Sequence, residues 1–151
     1  MTAYHILVPT DFSPHADYAL AYAIDLAATL QAHLTVLHVF HLSPLTVGEL
    51  PPAVLNDTLR DIETDAQNHI QKALARVQQA GIQGDGVIVE GIPFQTIVDI
   101  AKDKRVDVIV MGTHGRAGLS HMLMGSVAEK VVRLAPCSVL VTRDTIEDAE
   151  T

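Results

Sequence analysis

Five short runs of aliphatic and β-branched residues recur along the chain. Between them lie longer segments whose apolar residues fall at three- and four-residue spacing. The runs are residues 4–9, 33–39, 87–90, 106–111 and 137–141. Most are nearly continuous in Val, Ile and Leu, as strands covered on both faces must be. Strands that alternate with helices call for a parallel sheet with helices on both of its faces. Right-handed crossovers leave only a few ways to wind it. The expectation is one α/β domain with a five-stranded parallel sheet of the Rossmann-like kind. In such sheets a ligand lies beyond the carboxyl ends of the strands, where the winding direction reverses.

The 151 residues suit one domain with a core large enough to need no disulfide or metal. Aromatic residues make up 4% and there is no Trp, so that core must be aliphatic. The net charge of −8 repels nucleic acid and anionic membranes at long range, although a small anion can still be held locally. Cys137 is the single cysteine, which excludes an intrachain disulfide and points to a reducing compartment. The start lacks the basic segment of a secretory leader, and no apolar run approaches the ~20 residues that span a bilayer. A cytoplasmic location is expected. The domain is expected over residues 1–142, with the polar, acidic residues 143–151 as a frayed tail.

Local signals place the elements. Thr10, Asp11, Phe12 and Ser13 form a turn; Ser13 caps a helix whose first residue is Pro14. Ala16, Ala19, Leu20, Ala23, Leu26, Ala27 and Leu30 mark its buried face. Residues 40–53 carry Pro44, Gly48, Pro51 and Pro52 and read as the one long irregular connection, a candidate mobile flap. Leu59, Ile62, Ala66, Ile70, Ala73, Leu74 and Val77 mark a long helix that ends near Gly81. Pro93 opens a short helix with Phe94, Ile97, Val98 and Ala101. A last helix spans residues 126–134 and is stopped by Pro136.

The chemistry concentrates after the fourth strand. Gly112 stands where the strand must turn, Gly115 follows three residues later, and Gly125 and Ser126 open a helix. A helix N-terminus offers free N–H groups and partial positive charge to phosphate, and glycine lets the backbone approach it closely. Over residues 112–135 the cations Arg116, Lys130 and Arg133 face one acid, Glu129, a local net charge of +2 in an acidic chain. Arg116, inside the loop, is the direct phosphate candidate, with His114 as a second donor. The alternative is that the glycines serve only the turn and Ser126 only the helix start. The spacing is neither a P-loop nor the dinucleotide fingerprint.

The spacing Gly112-x2-Gly115-x9-Gly125-Ser126 resembles the G-2x-G-9x-G-[S/T] motif of the ATP-binding branch of the universal stress protein family. Val8, Pro9, Thr10, Asp11, Phe12 and Ser13 are similar to that family's V-P-x-D-x-S opening, and residues 112–116 to its GxHGR-type run. The resemblance implies a fold of the adenine nucleotide alpha hydrolase-like group, with nucleotide across the ends of strands one and four. It implies that Asp11 lies near the adenosine, walled by Pro9 and Thr10, and that Val39 meets adenine. Because Ser13 and Pro14 already supply the helix start, Asp11 is left to face the crevice. By the same resemblance Met111 and Gly112 flank the ribose, and Gly115, Arg116, Gly125, Ser126 and Val127 meet the phosphates. The implied ligand is ATP, with or without Mg²⁺. The implied assembly is a homodimer paired through Val139, Leu140 and Val141.

Three functions follow from this. The first is a nucleotide-occupied regulatory or stress-response module acting on an unknown partner. The second is a slow ATPase or other nucleotide-processing enzyme. For this Arg116 supplies charge, but no placed base is evident, and the HIGH and SGGxDS signatures of related transferases are absent. The third is an interaction module without nucleotide. The remaining histidines, His5, His15, His33, His38, His41, His69 and His121, show no metal-binding spacing and read as structural or surface residues.

Overall fold

The structure, a computed structural model, describes residues 3–113 and 124–144. Its elements are β1 (His5–Pro9), α1 (Pro14–Leu30), β2 (His33–Phe40), α2 (Pro44–Glu49), α3 (Pro52–Gln79), β3 (Gly84–Glu90), α4 (Pro93–Asp103), β4 (Val108–Gly112), α5 (Ser126–Leu134) and β5 (Ser138–Thr142). The five strands form one parallel sheet in the order β3-β2-β1-β4-β5. The chain thus winds outward from β1 to β3, returns to the centre at β4 and continues the other way.

Alternate residues of each strand serve opposite layers. Ile6, Val8, Leu34, Val36, Val108 and Val110 pack with α1 and α3. Leu7, Leu37, Ile109 and Met111 pack with α4 and α5. The core is aliphatic, as composition requires. On α1 the residues Ala19, Ala23 and Ala27 are wholly buried, so this helix sits close on the strands. Leu30, expected on that face, is 42% exposed. It lies in the last turn, where Gln31 caps the helix in left-handed backbone and the chain turns back into β2.

Residues 40–53 are not the irregular flap that the prolines suggested. They hold α2 and the first two residues of α3, which begins at Pro52 and runs for 28 residues. Pro44 and Pro52 each stand at the start of a helix, where a missing N–H goes unneeded and the ring presets φ. The third strand also starts earlier than its apolar run, at Gly84. A Cβ at Gly84 would lie 2.8 Å from both the Leu34 carbonyl oxygen and Val77 Cγ1, so the glycine there admits α3 against the edge of the sheet. At the start of the expected tail, the Asp144 side chain is only 3% exposed and paired with His15. Residues 145–151 lie outside the described residues.

The amino-terminal end of the sheet is closed by a polar network on the α4 side. Thr35, wholly buried, donates its one hydroxyl proton to Asp85 Oδ1 at 2.6 Å. His5 Nε2 lies 2.8 Å from the same hydroxyl and must therefore be the donor there, while its Nδ1 stands 3.3 Å from the Lys104 carbonyl oxygen. His33 Nε2 donates to Asp85 Oδ1 at 2.8 Å. Lys104 Nζ stands 3.9 Å from Asp85 Oδ2, and Asp107 accepts from the His5 amide. Burial first, and then the nearby His33, hold the His5 pKa below its ordinary value of 6.5. Burial pushes Asp85 upward, but the hydrogen bonds from Thr35 and His33 outweigh it and leave the pKa below its ordinary 3.8.

Both shifts act in the same direction. A histidine depressed in the folded state stabilises the fold above its unfolded pKa, and that stability is lost as pH falls through the folded value. A depressed carboxylate behaves likewise at lower pH. The denaturant midpoint is therefore expected to fall as pH is lowered from 7 toward 5. His5→Gln keeps a donor at the Nε2 position without the titration, and should show a shallower decline over that range. An identical decline in the variant would remove His5 from this account.

Candidate functional site

The reversal of winding opens a crevice between the carboxyl ends of β1 and β4. Pro9, Thr10 and Asp11 stand at the β1 end, Met111 and Gly112 at the β4 end, and Val39 near the end of β2. From across the loop, α5 brings Gly125, Ser126 and Val127 to the same end. The Gly125 amide donates to the Thr113 carbonyl at 2.7 Å, which ties the start of α5 directly to the end of β4. Gly125 is the N-cap of α5 and has no side chain to satisfy the first turn, and Ser126 is exposed. An uncapped helix start aimed at the carboxyl ends of a parallel sheet suits an anion. His114, Gly115 and Arg116 lie outside the described residues.

The side chains at the β1 end are not arranged as expected in full. Ser13 Oγ does accept from the Ala16 amide at 3.2 Å and so caps α1. Asp11, however, also takes part in the turn: its Oδ1 accepts from the Ser13 amide at 3.0 Å. Thr10 is anchored three ways. Its amide donates to the Leu37 carbonyl at 2.8 Å, its Oγ1 accepts from the Phe12 amide at 3.0 Å, and its carbonyl accepts from His38 Nδ1 at 2.8 Å.

At the β4 end, Met111 sends its side chain into the α4–α5 core, where it is 6% exposed, and its carbonyl accepts from Thr142 Oγ1. Val39 is half-buried against the same layer. Gly112 has a requirement that spacing alone does not reveal. A Cβ there would meet the His15 carbonyl oxygen at 3.0 Å and His15 Cβ at 3.3 Å, so the first turn of α1 occupies its side-chain space.

Sequence reasoning missed two features of this end. Phe12 adopts φ 63°, a left-handed backbone that costs a bulky L-residue about 1–2 kcal/mol. Its ring stacks between His38 and His69, with centroids 4.4 and 4.6 Å apart. The second feature is His15, whose Nδ1 lies 3.0 Å from both carboxylate oxygens of Asp144 and thereby joins α1 to the end of β5. These partners are far apart in sequence, and no local pattern announces them. A depression of about 230 Å³ lies beside Phe12, lined by Asp11, Phe12, His38, Ile62, Asp65 and Ala66. Among the described residues no group of three or more His, Cys, Asp or Glu is placed to hold a metal ion.

Fold and crevice together define an open, doubly wound α/β protein with a crevice at the β1–β4 reversal. Residues 3–143 match the universal stress protein family, and the chain belongs to it. It is 34% identical over 139 residues to universal stress protein MJ0531 of Methanocaldococcus jannaschii, an alignment covering 91% of this chain and 81% of that one. The solved structure of MJ0577, from the same organism, superposes with a TM-score of 0.84 at 31% identity, over 95% of this chain and 98% of that one. The universal stress protein UspA of Lactobacillus plantarum gives 0.83 at 32% identity, over 95% and 99%.

Gly112→Ala is expected to lower the unfolding free energy by about 1–2 kcal/mol. Crowding against the His15 backbone should exceed the roughly 0.4–1 kcal/mol gained by stiffening the unfolded chain. A denaturant titration checks it, and unchanged stability would show that the α1 contact is not tight.

Proposed function

We propose that this protein is an ATP-binding regulatory module that works as a nucleotide-occupied homodimer in the cytoplasm. The observation that carries the reading is the uncapped start of α5 at Gly125 and Ser126. It is bonded to Thr113 at the end of β4, beside the β1–β4 crevice. Phosphates on this helix start would lie next to Gly112, with Gly115, Arg116 and His114 in the loop between; adenosine would lie toward Pro9, Thr10, Asp11 and Val39. Since the Met111 side chain is in the core, any share it has in the ribose contact is through its backbone. Family members of lower identity have been solved with adenine nucleotides: one from Archaeoglobus fulgidus with dAMP, one from Arabidopsis thaliana with AMP, and one with cAMP. Adenine and a five-membered sugar (2′-deoxyribose in dAMP) are the parts that all these ligands share with ATP.

Calorimetry with ATP, AMP and ATP plus Mg²⁺ tests the site. Gly115→Val should weaken ATP binding by about 10- to 100-fold, the equivalent of about 1.4–2.8 kcal/mol in lost phosphate hydrogen bonds. Equal binding by the variant would refute the loop assignment.

The dimer reading rests on β5, an edge strand whose Val139, Leu140 and Val141 are half-exposed. Val132 and Leu134 of α5 are 45% and 52% exposed. A bare apolar edge invites pairing with a second copy. No helix among the described residues is long and apolar enough to cross a membrane. Light scattering at micromolar concentration should give the mass of two chains; the mass of one would sink the dimer.

A further inference from the structure

The turn that presents Asp11 to the crevice is not one its own sequence favours. Phe12 holds left-handed backbone, and an aromatic residue keeps such a conformation only where its surroundings dictate it. Two elements do so here. From β2, His38 donates Nδ1–H to the Thr10 carbonyl at 2.8 Å and lays its ring against Phe12 with the planes 31° apart. From α3, His69 stacks on the Phe12 ring at 21°. Its Nε2 lies 3.7 Å from Asp65 Oδ1, one turn earlier on the same helix. The three rings form a stack, His38–Phe12–His69, and the depression lined by Asp11, Ile62 and Asp65 lies alongside it. Phe12 packs with the α1–α3 layer, whereas Val39 and Val127 pack with the α4–α5 layer. His69 therefore reaches the turn from the face of the sheet opposite the α5 phosphate end.

We propose that His38, Phe12 and His69 are positioning residues for the nucleotide crevice, and that the ring stack couples α3 to its occupancy. This rests on reading the crevice as an adenine nucleotide site. His38 holds Thr10 through one hydrogen bond. The ring stack holds Phe12 and, through it, the Asp11 backbone between them. A ligand that needs Asp11 in this place favours the stacked arrangement, so by reciprocity the stack favours the ligand. Movement of α3 at His69 then changes affinity without touching nucleotide, and nucleotide steadies α3 around residues 62–70.

The test is ATP calorimetry on the full chain with His69→Ala and His69→Phe, together with hydrogen exchange of residues 62–70 with and without ATP. His69→Ala should bind ATP about five- to tenfold more weakly, within the usual range of site coupling. His69→Phe restores a ring and should return affinity to within about twofold of wild type; a purely surface role for His69 would not give this rescue. ATP should slow exchange in residues 62–70 of the wild type and leave it unchanged in His69→Ala. Circular dichroism melts confirm that the variants are folded. His38→Asn keeps a donor at the Nδ1 position while deleting the ring, and should resemble His69→Ala. If wild type binds ATP and His69→Ala binds it equally well, or if ATP leaves exchange in α3 unchanged, the coupling is wrong and the crevice assignment stands. If wild type binds no adenine nucleotide, the crevice assignment itself fails and the coupling goes with it.

Discussion

The parallel pairing of β1 with β4 is the constraint on which everything else rests. Ile6 pairs with Val108 and Leu7 with Ile109, which brings together two strands about a hundred residues apart in the chain. Parallel strands need long crossovers, so every connection carries a helix, and the central strands β1, β2 and β4 are buried on both faces by those helices. That is why the strands are aliphatic and the helices bear small residues on their inner faces. With the strand order β3-β2-β1-β4-β5, the winding reverses once, beside β1. The reversal leaves a crevice at one end of the sheet, which no crossover covers.

The two ends of the sheet then meet different demands. At the amino-terminal end, Thr35 is wholly buried among hydrocarbon and its hydroxyl must be paired. His5, His33 and Asp85 complete that pairing, with Lys104 near the carboxylate, and close the end with a directed set of hydrogen bonds. At the carboxyl-terminal end the backbone is held in place and the surface left open. Thr10 is fixed by three hydrogen bonds, Gly112 is packed on α1, and Gly125 is tied to Thr113, while the α5 start keeps an uncapped first turn. Fixed walls with a helix start that no side chain among the described residues caps are what anion binding needs.

The residues that surround the crevice supply backbone donors, a carboxylate engaged in its own turn, and apolar walls. The strained backbone at Phe12 is stabilised by side chains from β2 and α3, elements that lie outside the family-like opening in the sequence. This ties the β1 end of the crevice to the α1–α3 layer.

Much of this was legible in the chain itself. Continuous aliphatic runs specify doubly covered strands, and helical spacing with Ser13 and Pro14 specifies α1. The glycine spacing from Gly112 to Ser126 carries the resemblance to the family. These signals are local, set by periodicity, capping and backbone freedom over a few residues. Where local signals are ambiguous the reading erred. Proline breaks a helix in its interior but starts one at its first residue, so residues 40–53 looked irregular. Glycine marks a turn or a close contact, so the beginning of β3 at Gly84 was missed. The tertiary structure alone decided which distant groups meet: Gly112 against the His15 backbone, Asp144 with His15, and Phe12 between His38 and His69. Contacts of this kind depend on how helices settle on a sheet, and nothing in the neighbouring sequence of either partner encodes the other. The sequence by itself determined the class of fold and the family; packing decided how the turn after β1 is held and to which helix it is joined.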